Sequence, residues 1–179
     1  MLKNLSVLLL LKKDKAHNSQ VIRTLKKYKN IKLSVSIGSR NSSYPRKLIK
    51  KKYDFIVSYL SPWILPTKVL KRTKYRNINF HPSLPKYPGF GCYNLCIYNN
   101  DKFYGVTCHE MEKKIDSGKI YFIKKFKVKK NCNLNELIDH TYIEMFKFFK
   151  KNIKTLLSNK EIVINKKIVW NKKITQKER

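Results

Sequence analysis

The sequence predicts an α/β fold, a single domain on an open, mostly parallel sheet flanked by helices, and three observations predict it. Strand-length apolar runs alternate with helix-length amphipathic stretches over residues 5–58, the βαβαβ rhythm of a parallel sheet buried between helices. At 179 residues the chain can bury one full core and is short for two. Its residues are 42% hydrophobic and 12% aromatic, which excludes a disordered chain although 29% are charged.

The elements follow in order. Residues 5–11 read as a buried first strand, and residues 19–28 as an amphipathic helix with Val21, Ile22 and Leu25 on one face. Residues 32–37 form the second strand. After a Ser-, Asn- and Gly-containing loop at 38–43, residues 45–51 make a short helix and residues 55–58 an apolar third strand. Residues 67–70 read as a helical turn, 75–80 as a strand, 91–99 as a helix, and 104–112 and 119–128 as two more strands. Leu134, Leu137, Ile138, Tyr142, Met145, Phe146, Phe149, Ile153 and Leu156 trace a helical stripe through residues 133–158, which is core packing rather than a cofactor box. Residues 162–170 are expected to add a last strand. The domain is taken as residues 1–171, with a frayed basic tail at 172–179.

A net charge of +30, from 41 Lys and Arg against 11 Asp and Glu, surrounds the chain with a positive field that draws anions. Nucleic acid is the first partner to weigh, because lysines alone suffice for salt-sensitive binding to phosphates. The lysines are dispersed, and no binding motif accompanies them, so nucleic acid is expected to bind only non-specifically. No apolar run approaches bilayer length, which argues against a membrane span or export. Cys92, Cys96, Cys108 and Cys132 are too few for a disulfide scaffold in a chain this long, and reduced thiols fit a cytoplasmic protein. A zinc site using Cys92, Cys96, Cys108 and His109 is the sharper alternative. It lacks paired Cys-x-x-Cys knuckles, and adjacent Cys108 and His109 would face opposite sides of a strand. No metal is expected.

The chemistry concentrates in Asn79-Phe80-His81-Pro82-Ser83-Leu84-Pro85, then Gly105-Val106-Thr107, then Ile115-Asp116-Ser117-Gly118. Alternation along the strand ending at Phe80 turns Asn79 and His81 to one side, at the carboxyl end where crevices of open α/β sheets collect ligands. An amide can stabilise a developing oxyanion, an imidazole can relay a proton near neutral pH, and a carboxylate can hold the imidazole in one tautomer. Asp116 is the candidate carboxylate. Each residue also has a plainer reading: Asn79 and Asp116 as turn formers, His81 as a satisfied buried histidine.

At these residues the chain resembles the folate-dependent formyltransferases, which pass a formyl group from 10-formyltetrahydrofolate to an amine. Asn79, His81, Ser83, Leu84, Pro85, Pro88, Gly89, Gly105, Thr107, His109, Asp116, Ser117 and Gly118 occupy the paired signature, with one leucine of its Leu-Leu-Pro step missing. The resemblance covers residues 54–126 and implies a Rossmann-like formyltransferase fold. It makes Asn79, His81 and Asp116 the catalytic residues, with Ser83, Thr107 and His109 supporting them. It places the folate, a co-substrate, along Ile64, Leu65, Pro66, Ile115 and Gly118, although residues 61–66 read equally well as ordinary packing under a Pro-bounded loop. The expected reaction is attack by a neutral amine while Asn79 and His81 stabilise the oxyanion and Asp116 orients His81.

Three acceptors are considered. Relatives acting on glycinamide ribonucleotide use a Gly-rich loop after the first strand, where this chain has Lys12-Lys13-Asp14-Lys15-Ala16-His17-Asn18. Relatives acting on methionyl-tRNA carry a further C-terminal domain. Sugar N-formyltransferases share the His-Pro-x-x-Pro style of loop and the His109-Glu110-Met111 ending, so a nucleotide-linked amino sugar is the first choice. A non-catalytic basic nucleic-acid-binding protein is the alternative outside enzymology. The oligomeric state is open, a homodimer being one of the forms considered.

Overall fold

A computed structural model describes residues 4–43 and 45–172. Its centre is a six-stranded sheet in the order β2-β1-β3-β4-β5-β6. The strands are β1 (Leu5–Lys12), β2 (Ile31–Gly38), β3 (Phe55–Tyr59), β4 (Arg76–His81), β5 (Phe103–Glu110) and β6 (Ile120–Lys127), and the helices are α1 (Asn18–Lys26), α2 (Arg46–Ile49), α3 (Thr67–Leu70), α4 (Cys92–Tyr98) and α5 (Leu134–Leu156). β1 to β4 run parallel, and β5 and β6 continue the sheet antiparallel. The mostly parallel α/β sheet read from the sequence is therefore present.

Both sheet faces are covered, and strand alternation sorts the side chains between them. Val7, Leu9, Leu11, Phe55, Val57, Tyr59, Ile78, Phe80, Val106 and Cys108 pack in one cluster with Val21 and Leu25 of α1 and with Met145, Phe148 and Phe149 of α5. Phe80 meets Phe148 and Phe149 nearly edge-on, with ring centroids 6.1 and 5.1 Å apart, the arrangement that aligns a ring's positive edge with its neighbour's negative face. On the other face Leu8, Leu10 and Ile56 meet Ile49 of α2, Val69 and Leu70 of α3, and Leu65. α5 holds its length through a capping box, in which the Asn133 side chain accepts from Glu136 N and the Glu136 carboxylate accepts from Asn133 N.

Three sequence expectations change. Residues 162–170 form no strand. Ile162 is buried against the main core, but a turn at Asn165, whose carbonyl and side-chain oxygen accept from Ile168 N and Lys167 N, breaks the extended run. β5 ends at Glu110 rather than Glu112, because Met111 N donates to Asn77 O and leaves the β5–β6 ladder. Leu134, placed on the α5 stripe, is 38% exposed at the helix start. The basic tail expected at 172–179 lies, beyond Lys172, outside the described residues. No helix among the described residues is long and apolar enough to cross a membrane.

Candidate active site

The alternation that sends Ile78 and Phe80 into the α5 core sends Asn77, Asn79 and His81 to the opposite face. β5 does the same antiparallel to it: Val106 and Cys108 face α5, while register pairs His81 with Thr107 and Asn79 with His109. Four polar side chains thus share one patch because two strands of period two lie in register. β6 carries an extra residue opposite the Cys108–His109 step, an irregularity that re-aims a side chain locally.

Asp116 reaches this patch from the loop between β5 and β6. Its backbone is left-handed, φ 48°, a conformation that Asp tolerates better than most residues and that tends to mark functional sites. Gly118 must remain glycine, since a Cβ there would overlap the carbonyl of Glu110. From the segment after β4, Gly89, φ 83°, donates its N–H to Asp116 Oδ2 at 2.7 Å, and glycine adopts that φ freely. The Pro82–Pro88 loop and the Asp116 loop are joined at this bond.

The geometry is compact. Asp116 Oδ2 lies 3.4 Å from His81 Nδ1, and Oδ1 lies 3.2 Å from His109 Nε2. His109 Nε2 is also 3.0 Å from Asn79 Nδ2, and its Nδ1 donates to Glu110 O at 2.7 Å. His81 Nε2 faces the Tyr87 carbonyl at 3.0 Å. Both ring nitrogens of His81 therefore face oxygen acceptors, and an imidazolium satisfies both. Burial pushes the Asp116 carboxyl up, but the His109 hydrogen bond, the His81 and His109 charges and the Gly89 N–H together outweigh it and hold the group at about 2. His81, His109 and Asp116 are buried, whereas Asn79 is half-buried, so a reactant meets this group at the amide. One Asn79 N–H is turned toward His109, and an amide has a second N–H with which it can donate to an oxygen developing negative charge.

The structure thus brings together Asn79, His81 and Asp116, the three catalytic candidates read from the sequence. His109, read there as a support, sits between Asn79 and Asp116. Thr107 is fully buried and its hydroxyl donates to the Ser83 carbonyl at 2.7 Å, so Thr107 and Ser83 pin the Pro loop to β5. Of the residues assigned to folate, Leu65 is buried in the second core cluster with Trp63 and Met111 packed against it. Ile64 is 60% exposed, Pro66 exposed, Ile115 half-buried and Gly118 buried. Cys108 lies in the main core while Cys92 and Cys96 lie in a separate cluster around α4, so the four cysteines do not converge. Among the described residues no three His, Cys, Asp or Glu side chains are grouped to hold a metal ion.

One contributor had no signal in the sequence. The Trp170 ring stands edge-on to His109 at 4.8 Å and to His81 at 5.7 Å, although it is far from both along the chain.

Comparison with known proteins yields consistent findings. The family model described as formyl transferase matches residues 9–148. A methionyl-tRNA formyltransferase of Lactobacillus gasseri is 35% identical over 129 residues, which is 72% of this chain but 41% of that protein. The chain thus spans about two fifths of that relative's length. Among solved structures, an N-formyltransferase from Helicobacter canadensis, in complex with folinic acid and dTDP-3-aminofucose, superimposes with a TM-score of 0.73 at 18% identity, covering 99% of this chain and 72% of that one. Glycinamide ribonucleotide transformylase 1 from Symbiobacterium toebii gives 0.75 at 14% identity, covering 94% and 95%. At such identities these two establish the shared fold.

Proposed function

The chain belongs to the formyl transferase family, and from that premise we propose that it transfers a formyl group from 10-formyltetrahydrofolate to a primary amine. The observation that carries this reading is the convergence of Asn79, His81, His109 and Asp116 on one sheet face, with successive contacts of 3.0 to 3.4 Å.

The folate supplies an activated one-carbon group. Its ring system suits the apolar wall of Leu65, Trp63 and Met111, which packs on the sheet face that also carries Asn77 and Asn79. Exposed Ile64 and half-buried Ile115 would border it, and the tight Gly118 turn would hold Asp116 in place. The protein's own groups then divide the work. The outer Asn79 N–H donates to the formyl oxygen as negative charge develops there, and the charge of His81 in its imidazolium form adds to that stabilisation. Asp116 keeps His81 and His109 oriented and offsets the charge of His81. His109 Nε2, beside both Asn79 and Asp116, is the nitrogen best placed to relay the proton lost by the amine to the folate nitrogen, which departs with it as the tetrahedral intermediate collapses to the formamide and tetrahydrofolate.

For the acceptor we favour a nucleotide-linked amino sugar, the type of ligand named in the Helicobacter canadensis complex. The +30 charge suits its diphosphate. A second reading, methionyl-tRNA, is favoured by the 35% identity to the Lactobacillus gasseri enzyme and by the same charge. Incubation with 10-formyltetrahydrofolate and nucleotide amino sugars, glycinamide ribonucleotide or charged initiator tRNA separates them, with formamide formation read by mass spectrometry. Formylation of one of these amines is expected. Tight, salt-sensitive polynucleotide binding without turnover on any of them would instead support the non-catalytic reading.

A further inference from the structure

We propose that Trp170 is a positioning residue for the transfer reaction, its indole and the adjoining backbone strapping the loop that follows His81 to the loop that carries Asp116. The proposal rests on the formyl-transfer reading above. Trp170 Nε1 donates to the Gly118 carbonyl at 2.9 Å, two residues beyond Asp116, and Asn171 N donates to the Pro85 carbonyl at 3.0 Å, four residues beyond His81. Adjacent residues therefore bond to both loops. Between those bonds the indole stands steeply edge-on to both imidazoles, at 83° to His109 and 71° to His81, in ring contact with each.

The strap is tied down along its length. Where it leaves α5, the Arg76 guanidinium donates to the carbonyls of Leu156, Ser158 and Lys160. Ile162 is then buried against the main core, with Ile164 packed beside it. This return carries the chain from the α5 terminus to the catalytic rim. The short strand expected over residues 162–170 is replaced by a segment whose terminal hydrogen bonds go to the catalytic loops. A path spent on those loops rather than on a sheet edge is what a device for holding them would require.

The test compares Trp170→Ala and Trp170→Phe with wild type under saturating and limiting amine. Trp170→Ala is expected to lower kcat roughly 10- to 100-fold with KM changed less than about twofold, the signature of lost alignment rather than lost binding. Trp170→Phe, which keeps the edge contacts but not the N–H bond to Gly118, should recover only part of that loss. Circular dichroism checks that both variants fold. A spectroscopic arm needs no turnover. The chain holds two tryptophans, so Trp63→Phe leaves Trp170 as sole reporter, and adding His109→Ala should change its emission. Emission that His109→Ala leaves unchanged, or a folded Trp170→Ala enzyme with wild-type kcat, would overturn the proposal. If wild type itself formylates no amine, the formyl-transfer reading fails, and the emission arm alone decides whether the indole contacts the imidazole.

Discussion

Asp116→Asn keeps the size of a buried side chain while removing its charge and reversing half of its hydrogen-bonding capacity. In the native site the carboxylate accepts from Gly89 N and faces His81 Nδ1 and His109 Nε2. A carboxamide whose oxygen takes the Oδ2 position still accepts from Gly89 N and His81 Nδ1, but its NH2 then points at His109 Nε2 and forces that nitrogen to present a lone pair. His109 would have to satisfy Asn79 and residue 116 with one acceptor, and His81 would lose the negative charge beside it. An analogous replacement behind a catalytic histidine costs about 10⁴ in turnover through the wrong tautomer. A kcat loss of about 10³ to 10⁴ is expected here. The stability cost follows from the carboxyl itself. Holding it at about 2, against an ordinary 3.8, contributes about 2 kcal/mol at neutral pH. The folded-state value is depressed, so this contribution is present above pH 4 and lost as pH falls toward 2, with about 1 kcal/mol gone by pH 3. Formyl transfer followed by mass spectrometry gives the first number, and urea unfolding of both proteins at pH 7 and pH 3 gives the second. Turnover within tenfold of wild type, or a stability difference that stays constant between the two pH values, would refute the reasoning.

Further expectations follow from single contacts. Asn79→Ala should lower kcat by about 10² to 10³, the usual cost of removing one oxyanion donor, with little change in melting temperature because the side chain is half-buried. Gly118→Ala should depress activity and stability together, since the new Cβ would collide with the Glu110 carbonyl and displace the Asp116 loop; thermal melts and turnover measured side by side check this. Phe149→Ala, on the sheet face away from the site, should cost about 3–5 kcal/mol in urea unfolding while the folded fraction keeps wild-type kcat.

The parallel sheet was legible because β1 and β3 are short, strongly apolar runs and β2 and β4 alternate apolar with polar residues, and helix α5 because its stripe persists over six turns. Asn79 and His81 were legible as a same-side pair from alternation alone. His109 was harder to rank: its contact with Asn79 depends on the β4–β5 register, which places Asn79 opposite His109 and which no single strand encodes. The approach of Asp116 depends on a left-handed residue and a glycine N–H 27 positions away, and both are tertiary facts. The strand expected at 162–170 shows the complementary error. Its alternating isoleucines do meet the core, but a turn at Asn165 takes up its backbone, and its end is held by bonds from the Trp170 indole and Asn171 N to Gly118 and Pro85, distant in the chain. Trp170 went unassigned for the same reason.

The central claim is that Asn79, His81, His109 and Asp116 form one formyl-transfer centre. A crystal structure of the protein with a hydrolysis-resistant 10-formyl folate analogue tests it most directly. The formyl oxygen is expected about 3 Å from Asn79 Nδ2, with the formyl carbon open to the His109 side. An analogue bound with its formyl group beyond hydrogen-bond reach of all four side chains would contradict the account.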